Sequence, residues 1–127
     1  MRRFDSLVIG AGPAGVTAGL YLARFGLSVC LAEKLAPGGL LLQTSEIENY
    51  PGFPKGINGY ELADAFAAQL EPYANISRVA DEIAELDLQS SPKRARIGNE
   101  WIEANTVIVC SGVVYRKLGV PGEDALL

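Results

Sequence analysis

Six residues near the N-terminus, Gly10-Ala11-Gly12-Pro13-Ala14-Gly15, have the glycine spacing of a turn that binds a pyrophosphate. Gly10 allows a tight turn out of a strand, and Gly12 has no Cβ, so the backbone can approach a pyrophosphate closely. Gly15 lets the following helix pack tightly on a sheet. The pyrophosphate would lie at the helix N-terminus, where unpaired N–H groups and the positive end of the helix dipole face it. The spacing therefore predicts a dinucleotide-binding turn, which we call the glycine turn.

The elements on either side of the glycine turn are those that such a site requires. The pattern predicts an apolar strand over residues 4–9 and a helix over 13–25. A second apolar strand, 27–32, leads into Glu33, 18 residues after Gly15. A dinucleotide-binding fold needs a carboxylate at this place to accept hydrogen bonds from ribose hydroxyls. The alternative is a glycine-rich turn in an ordinary α/β protein, with Glu33 on a solvated strand end.

Composition and charge narrow the classes of function. The chain has 127 residues, of which 49% are hydrophobic and 20% charged, and this predicts one globular domain. The formal net charge of −4 argues against nucleic acid or an anionic membrane surface as a partner. No apolar run reaches the roughly 18 residues that a membrane-spanning helix needs. The N-terminus leads into a strand rather than a signal peptide, so the cytoplasm is the expected location.

The chain has two cysteines, Cys30 and Cys110, and no histidine. Both cysteines fall in apolar runs, which predicts two buried thiols. They are 80 residues apart, so they form no C-x-x-C pair, and no zinc site can be built without further ligands. The lack of histidine removes the commonest general acid and base. We therefore assign no catalytic residue and expect a cofactor to supply any chemistry.

The remainder of the chain predicts a long loop, one further helix and a series of strands. With the elements around the glycine turn, they predict an α/β Rossmann-like fold in three layers. Its central sheet is parallel, and a small antiparallel β-meander serves as the crossover and forms a side sheet. The predicted elements are a loop at 34–58, a helix from 59 to about 70–73, a third parallel strand at 76–80, antiparallel strands at 82–88, 94–98 and 101–103, a last parallel strand at 106–110 and an irregular tail at 113–127.

Three further motifs follow the glycine turn and Glu33 in order: Pro37-Gly38-Gly39, Glu48-Asn49-Tyr50-Pro51-Gly52-Phe53 and Val107-Ile108-Val109-Cys110-Ser111-Gly112. With them, essentially the whole chain resembles the N-terminal FAD-binding part of low-molecular-weight thioredoxin reductases, in the pyridine nucleotide-disulfide oxidoreductase family. The chain is also similar to ferredoxin-linked thioredoxin reductases and to thioredoxin-reductase-type ferredoxin–NADP reductases. Residues 48–53, which we call the ENYPGF segment, are more specific than the glycine turn. The resemblance implies a Rossmann-like FAD/NAD(P)-binding domain.

The resemblance implies FAD as the cofactor and gives each motif a role. The glycine turn would hold the pyrophosphate, and Glu33 and Lys34 would lie at the adenosine ribose. The paired glycines and the residue after them would approach the flavin side, and Asn49 would contact the flavin ring region. Backbone groups of residues 79–80 would lie against adenine, and residues 111–112 would turn the chain beneath the cofactor. The residues implied to bind FAD are Gly10, Gly12, Pro13, Ala14, Gly15, Glu33, Lys34, Gly38, Gly39, Leu40, Asn49, Val79, Ala80, Ser111 and Gly112.

Two positions depart from the family pattern. Leu40 stands where the family commonly has a glutamine, and its side chain offers no hydrogen-bond donor. Cys110-Ser111 stands where the family has Ala-Thr, and the serine keeps the hydroxyl. Alternatives stay open for two motifs. Asn49 either contacts the flavin region or stabilises a proline-rich turn, and the paired glycines either approach the cofactor or only provide turn geometry.

The family also needs parts that this sequence does not contain: a C-x-x-C redox pair, a second glycine-rich domain for NADPH and a later Gly-Asp segment that completes the FAD site. We therefore expect residues 1–127 to be a partial FAD-binding domain of a thioredoxin reductase-like oxidoreductase, which passes electrons through flavin to a disulfide or related acceptor and is not competent alone. The parent would use a thioredoxin-like protein, ferredoxin or NADPH, and a homodimer is one expected assembly. The alternatives are a stand-alone, non-catalytic module that binds FAD, NAD or ADP for a partner chain, and an NAD-binding domain.

Overall fold

Strands and helices alternate around the glycine turn as the pattern predicts. The computed structural model describes residues 1–114 and 116–123, and in these ranges it contains six strands, two α-helices and one short 3₁₀ helix. In chain order the elements are β1 (Arg2–Ile9), α1 (Pro13–Arg24), β2 (Val29–Ala32), the 3₁₀ helix (Gly39–Gln43), α2 (Gly59–Ala68), β3 (Ile76–Val79), β4 (Ile83–Asp87), β5 (Lys93–Ile97) and β6 (Glu100–Val109).

Four strands form the parallel half of a six-stranded sheet. The strand order is β3-β2-β1-β6-β5-β4, and β1 lies parallel to both β2 and β6. In register, Leu7 of β1 stands beside Cys30 of β2 and Val107 of β6. The carboxyl ends of these three strands therefore meet at one edge of the sheet. The glycine turn, Glu33 and Ser111 follow at that edge, which is where parallel α/β sheets bind ligands.

The antiparallel half differs from the prediction in two respects. The pattern predicts separate strands at 101–103 and 106–110, whereas β6 runs through both without a break. The first half of β6 pairs antiparallel with β5, and β6 also pairs parallel with β1 along most of its length. Because β6 belongs to both halves, the meander continues the central sheet, and the prediction of a separate side sheet is wrong.

The side-chain contacts of two polar residues explain why β6 continues through a break in its apolar pattern. Asn105 and Thr106 interrupt the run of apolar residues, and such an interruption is typical of a turn. Both instead bind the neighbouring strand β1 through their side chains. The guanidinium of Arg3 donates to Asn105 Oδ1 at 3.2 Å, and the Thr106 hydroxyl donates to the carbonyl oxygen of Asp5 at 3.1 Å. These bonds are between strands, so sequence spacing alone did not indicate them.

The sheet curls so that its two outer strands come together. β3 and β4 lie at opposite edges of the strand order, yet only residues 80–82 separate them in the chain. Val79 and Ile83 also pack against one and the same core cluster. The antiparallel half therefore covers the face of the parallel half that lies away from the helices. Helices, parallel strands and antiparallel strands form three layers, of which the last two belong to one curled sheet.

Alternating residues of β1 supply two cores, one on each face. Val8 packs with Val16 of α1 and with Leu70, which follows α2. Leu7 faces the other way and packs with Ile97 of β5. Val8 and Leu7 are 0% and 1% exposed, so each removes a whole side chain from water, worth about 1.5–3 kcal/mol relative to exposure. The two cores pack against opposite faces of β1, the strand that leads into the glycine turn, and so hold the turn in place.

The remaining differences from the prediction lie in loops and at helix ends. The predicted loop 34–58 contains the 3₁₀ helix and an isolated bridge between Ile47 and Ile57. α2 ends at Ala68, and its N-cap Asn58 accepts a hydrogen bond from the backbone N–H of Tyr60. No strand occurs in residues 113–114 and 116–123 of the predicted tail, and residues 115 and 124–127 lie outside the described residues. None of the described helices has both the length and the apolar character needed to cross a membrane.

Candidate functional site

The glycine turn is packed too closely for side chains at two of its positions. Gly10 has a φ of +99°, and a Cβ there would collide with the carbonyl oxygen of Cys110 on the neighbouring chain segment. A Cβ at Gly15 would collide with the carbonyl oxygen of Gly10. The first glycine therefore serves both the turn and a close approach between strands, and the third brings α1 against the turn. Both contacts agree with the structural roles predicted for these two glycines.

The N-terminus of α1 has no side-chain cap. Gly12 is the N-cap residue, Pro13 stands at the start of the helix, and no acidic residue lies in the first turn. The N–H groups of Ala14 and Gly15 are too near the helix start to have acceptors within the helix. Donors and the positive end of the helix dipole therefore remain for an anion at this point. The turn meets the chemical requirement of a phosphate-binding site.

The loop with the paired glycines is joined to the glycine turn. The N–H of Gly38 donates to the carbonyl oxygen of Ala11 at 2.9 Å. A Cβ built at Gly39 would lie 3.3 Å from the Cα of Gly12, so the two loops touch backbone to backbone. Gly38 is buried, with a φ of +133°, and a side chain there would meet Leu42. Gly38 thus shapes the loop, while Gly39 faces the same space as the glycine turn.

Glu33 connects the end of β2 to both neighbouring segments. Its carboxylate accepts hydrogen bonds from the backbone N–H of Ala11 at 2.8 Å and of Leu35 at 3.1 Å. Its own N–H donates to the carbonyl oxygen of Val79 at 3.0 Å. A carboxylate has about four acceptor sites, so two remain for ribose hydroxyls. Glu33 therefore holds the glycine turn in shape, and its role toward a ligand stays a prediction.

These segments enclose a cleft of about 470 Å³, which we call the main cleft. Nine of the predicted site residues line it, which is the part of the prediction that the geometry brings together. They share it with apolar side chains of the 3₁₀ helix and of the segment after β6. The lining residues are Gly10, Gly12, Pro13, Ala14, Glu33, Leu35, Ala36, Gly39, Leu40, Leu42, Gln43, Cys110, Ser111, Gly112 and Val113.

A smaller cleft of about 260 Å³ adjoins the main cleft. The two share Gly10, Glu33 and Ser111, so they meet at the carboxyl ends of the central strands. Lys34 lines the smaller cleft, and its ammonium lies 3.1 Å from the carboxylate of Glu82. Both side chains are more than half exposed, so this ion pair adds little stability. The two clefts therefore adjoin at the start of the glycine turn, and Gly12, Pro13 and Ala14 of that turn line the main cleft alone.

Five predicted site residues lie outside both clefts, and four of them lie near the clefts in the chain. Gly15 and Gly38 do not line a cleft, and they instead allow close packing of the segments around them. Val79 packs into the core, and Ala80 is exposed beside it. Sequence spacing also missed lining residues, most clearly Gln43, which follows Leu40 by one turn of the 3₁₀ helix. The spacing of three residues was the available signal, because side chains at i and i+3 overlie each other in a 3₁₀ helix.

Asn49 lies outside both clefts as well. It is exposed and lines a separate shallow cavity of about 390 Å³ formed by the ENYPGF segment and Pro54. Tyr50 packs its ring edge-on against Phe66 of α2, with ring centroids 5.6 Å apart, and also meets Phe53 at 6.1 Å. The aromatic residues of the segment therefore serve packing. The role of Asn49 stays a prediction.

The two cysteines occupy different surroundings. Cys30 is fully buried in the core on the face of the sheet that lies away from the helices. This burial raises the pKa of its thiol to about 11. Cys110 is partly exposed, lines the main cleft and packs on the helix side. The prediction of a buried thiol is therefore confirmed for Cys30 and wrong for Cys110. Strand β1 lies between their strands, so the two thiols do not form a redox pair.

Comparison with known proteins gives consistent matches. The pyridine nucleotide-disulphide oxidoreductase family matches residues 4–127. The thioredoxin reductase of Mycolicibacterium smegmatis is 42% identical over 122 residues, which are 96% of this chain and 39% of that protein. The solved thioredoxin reductase of Streptococcus pyogenes has a TM-score of 0.86 at 43% identity, covering 96% of this chain and 39% of that one. That of Lactococcus lactis has a TM-score of 0.88 at 34% identity, covering 95% and 39%.

The matches are nearly complete for this chain and partial for its relatives. The chain spans 39% of the length of the M. smegmatis protein and of both solved structures. The TM-scores confirm the predicted α/β Rossmann-like fold class, and the family match confirms the predicted resemblance. The chain therefore belongs to the pyridine nucleotide-disulphide oxidoreductase family, and within it is similar to part of the thioredoxin reductases.

Proposed function

We propose that this chain is the FAD-binding portion of a thioredoxin reductase-like oxidoreductase. The observation that carries the proposal is the junction of three segments at one cleft: the uncapped start of α1, the carboxylate of Glu33 and the close backbone approach of Gly12 and Gly39. The helix start offers an anion site, and Glu33 offers an acceptor for hydroxyl groups. The two glycines leave room for the pyrophosphate because neither carries a side chain.

The two clefts suggest how the ligand would lie. The N–H groups of the glycine turn would bind the pyrophosphate, and Glu33 would accept hydrogen bonds from the adenosine ribose. The adenosine would extend into the smaller cleft beside Lys34, near the backbone of residues 79–80. The flavin would extend past Gly39 and Leu40, with Asn49 belonging to that end of the site. FAD, when bound there, would supply the electron-transfer chemistry that the chain's own side chains do not.

The electron path of the whole protein is part of the proposal. Cys30 and Cys110 are not suited to form a redox disulfide, so the acceptor would be a disulfide outside this chain, with a thioredoxin-like protein as the final partner. NADPH or ferredoxin would supply the electrons. Residues 1–127 would then be a partial domain that binds FAD but does not turn over alone.

A titration with FAD and ADP tests the proposed function. The purified chain should bind FAD with retention of the flavin absorbance bands between about 300 and 550 nm through a desalting column. Gly12→Ala should weaken both FAD and ADP about tenfold, because a Cβ would occupy the space for the pyrophosphate. That Cβ would have only the Cα of Gly39 nearby, at 3.8 Å, so the variant should fold. Gly19→Ala in α1, where a Cβ meets nothing within 4 Å, is the matched control. A wild-type chain that binds neither ligand would contradict the proposal.

A second candidate is a non-catalytic module that binds a dinucleotide for a partner chain. The observation that favours it is the position of the two cysteines on opposite faces of the sheet, which leaves the chain without a redox disulfide of its own. A chain that binds ADP and NAD as tightly as FAD would support the module. Clear preference for FAD supports the flavoprotein instead.

A further inference from the structure

The polar side chains of the main cleft lie at different places along it. Among the lining residues, Glu33, Gln43 and Ser111 carry the strong hydrogen-bonding side chains. Glu33 and Ser111 also line the smaller cleft, so they belong to the junction of the two. Gln43 lines only the main cleft. It is therefore the strong polar side chain of the end that lies away from the smaller cleft.

The 3₁₀ helix holds Gln43 at this end. Before the helix, the N–H of Gly38 binds the carbonyl oxygen of Ala11 in the glycine turn at 2.9 Å. After it, the carbonyl oxygen of Thr44 accepts from the N–H of Gly59 at 3.2 Å, at the start of α2. A Cβ on Gly59 would collide with the carbonyl oxygen of Thr44, so the two segments are in close contact. Both ends of the short helix are thus anchored to the main fold.

The amide of Gln43 is available for a ligand. Within residues 1–114 and 116–123, its side chain has no hydrogen-bond partner, in contrast to the carboxylate of Glu33, which binds two backbone N–H groups. Its neighbours in the cleft wall, Leu40 and Leu42, are apolar. Gln43 is itself exposed, so its amide is accessible from solvent. The amide offers both donors and an acceptor at this place.

We propose that Gln43 hydrogen-bonds the flavin portion of the cofactor and thereby makes the site prefer FAD to ADP. The inference rests on the proposed function, since it requires the dinucleotide to run from the smaller cleft across the glycine turn. Leu40 contributes only apolar contact. Gln43, which follows one 3₁₀ turn later and lines the same cleft, supplies the polar contact. ADP lacks the flavin portion and does not reach it.

The test compares FAD and ADP affinities of the whole chain by flavin fluorescence and calorimetry. Gln43→Leu should weaken FAD about three- to tenfold, which corresponds to the loss of one hydrogen bond, and should change ADP less than about twofold. Gln89→Leu is the matched control, because Gln89 is also exposed but lies in the turn between β4 and β5. Leu40→Gln combined with Gln43→Leu should restore part of the FAD affinity.

The outcomes separate this inference from the proposed function. Wild-type binding of both ligands with an FAD-specific loss in Gln43→Leu supports both. Equal FAD affinity in wild type and Gln43→Leu, or an equal loss for FAD and ADP, overturns the role of Gln43 and leaves the FAD assignment in place. A wild-type chain that binds ADP but not FAD overturns the FAD assignment and this inference together. ADP binding by each variant also shows that the variant is folded.

Discussion

The glycine turn and the ENYPGF segment are two motifs of similar length with very different relations to the site. The turn lies where its spacing predicts, and contacts within a few residues or on adjacent strands explain its glycines. The ENYPGF segment is the more specific motif, yet it lies apart from both clefts and packs through Tyr50 onto α2. A motif that acts through local backbone geometry can be placed from sequence. One that acts through the docking of a loop cannot, because its position depends on distant partners.

The strongest way to break this comparison is to add one methyl group to the turn. Gly15→Ala places a Cβ against the carbonyl oxygen of Gly10, and backbone atoms must move to accommodate it. We expect a loss of about 3 kcal/mol in the free energy of unfolding, measured by denaturant titration, together with loss of FAD and ADP binding. Gly19→Ala in the same helix should be neutral or stabilising. Equal stability of the two variants would show that the turn tolerates a side chain.

Removal of the Glu33 carboxylate tests whether the turn depends on its neighbour. Glu33→Ala leaves the N–H of Ala11 without its acceptor, so we expect about 1–2 kcal/mol lower stability and about tenfold weaker ADP binding. Glu33→Gln keeps one carbonyl acceptor and should fall between wild type and Glu33→Ala. Unfolding curves and ADP calorimetry measure the two effects. Unchanged ADP affinity in Glu33→Ala would mean that the carboxylate serves the turn alone.

The reactivities of the two thiols compare the main cleft, where Cys110 lies, with the core, where Cys30 lies. At pH 8, Cys110 should react with iodoacetamide at least about tenfold faster than Cys30, since Cys30 is buried and protonated. FAD or ADP should slow the labelling of Cys110, as mass spectrometry of the peptides can show. Protection of Cys110 by neither ligand would contradict its place in the binding cleft.

The raised pKa of Cys30 also has a consequence for stability. The folded state holds this proton more tightly than the unfolded one, so the stabilisation is complete below about pH 9 and is lost as the pH rises toward 11.

The smallest effect is expected in the ENYPGF segment. Asn49→Ala should weaken FAD about threefold and leave ADP unchanged if the residue belongs to the flavin end of the site, as we propose. Its matched control is Asn99→Ala in the exposed turn between β5 and β6. Titrations with both ligands measure the difference. If Asn49→Ala lowers stability without any change in FAD affinity, Asn49 only stabilises its proline-rich turn.

Much of the fold could be predicted from sequence because the signals are local. Apolar strands, the glycine spacing and the acidic residue after β2 define the βαβ unit and the edge of the sheet where the clefts lie. The errors occurred where contacts between distant residues decide. Asn105 and Thr106 interrupt an apolar pattern, but side-chain bonds to β1 keep them in one strand. The 3₁₀ helix inside the predicted loop 34–58 is likewise held by α2 and by the glycine turn.

The sequence by itself determined the family, the order of the elements and the dinucleotide-binding turn, because these depend on residue types at short, regular spacings. Only the tertiary structure decided which residues share the main cleft. The curl of the sheet brings β3 and β4 together, and the anchored 3₁₀ helix places Gln43 beside Leu40 in the cleft wall. The positions of Cys30 and Cys110 on opposite faces follow from strand pairing in the same way. These arrangements depend on packing between residues far apart in the chain, which no local pattern specifies.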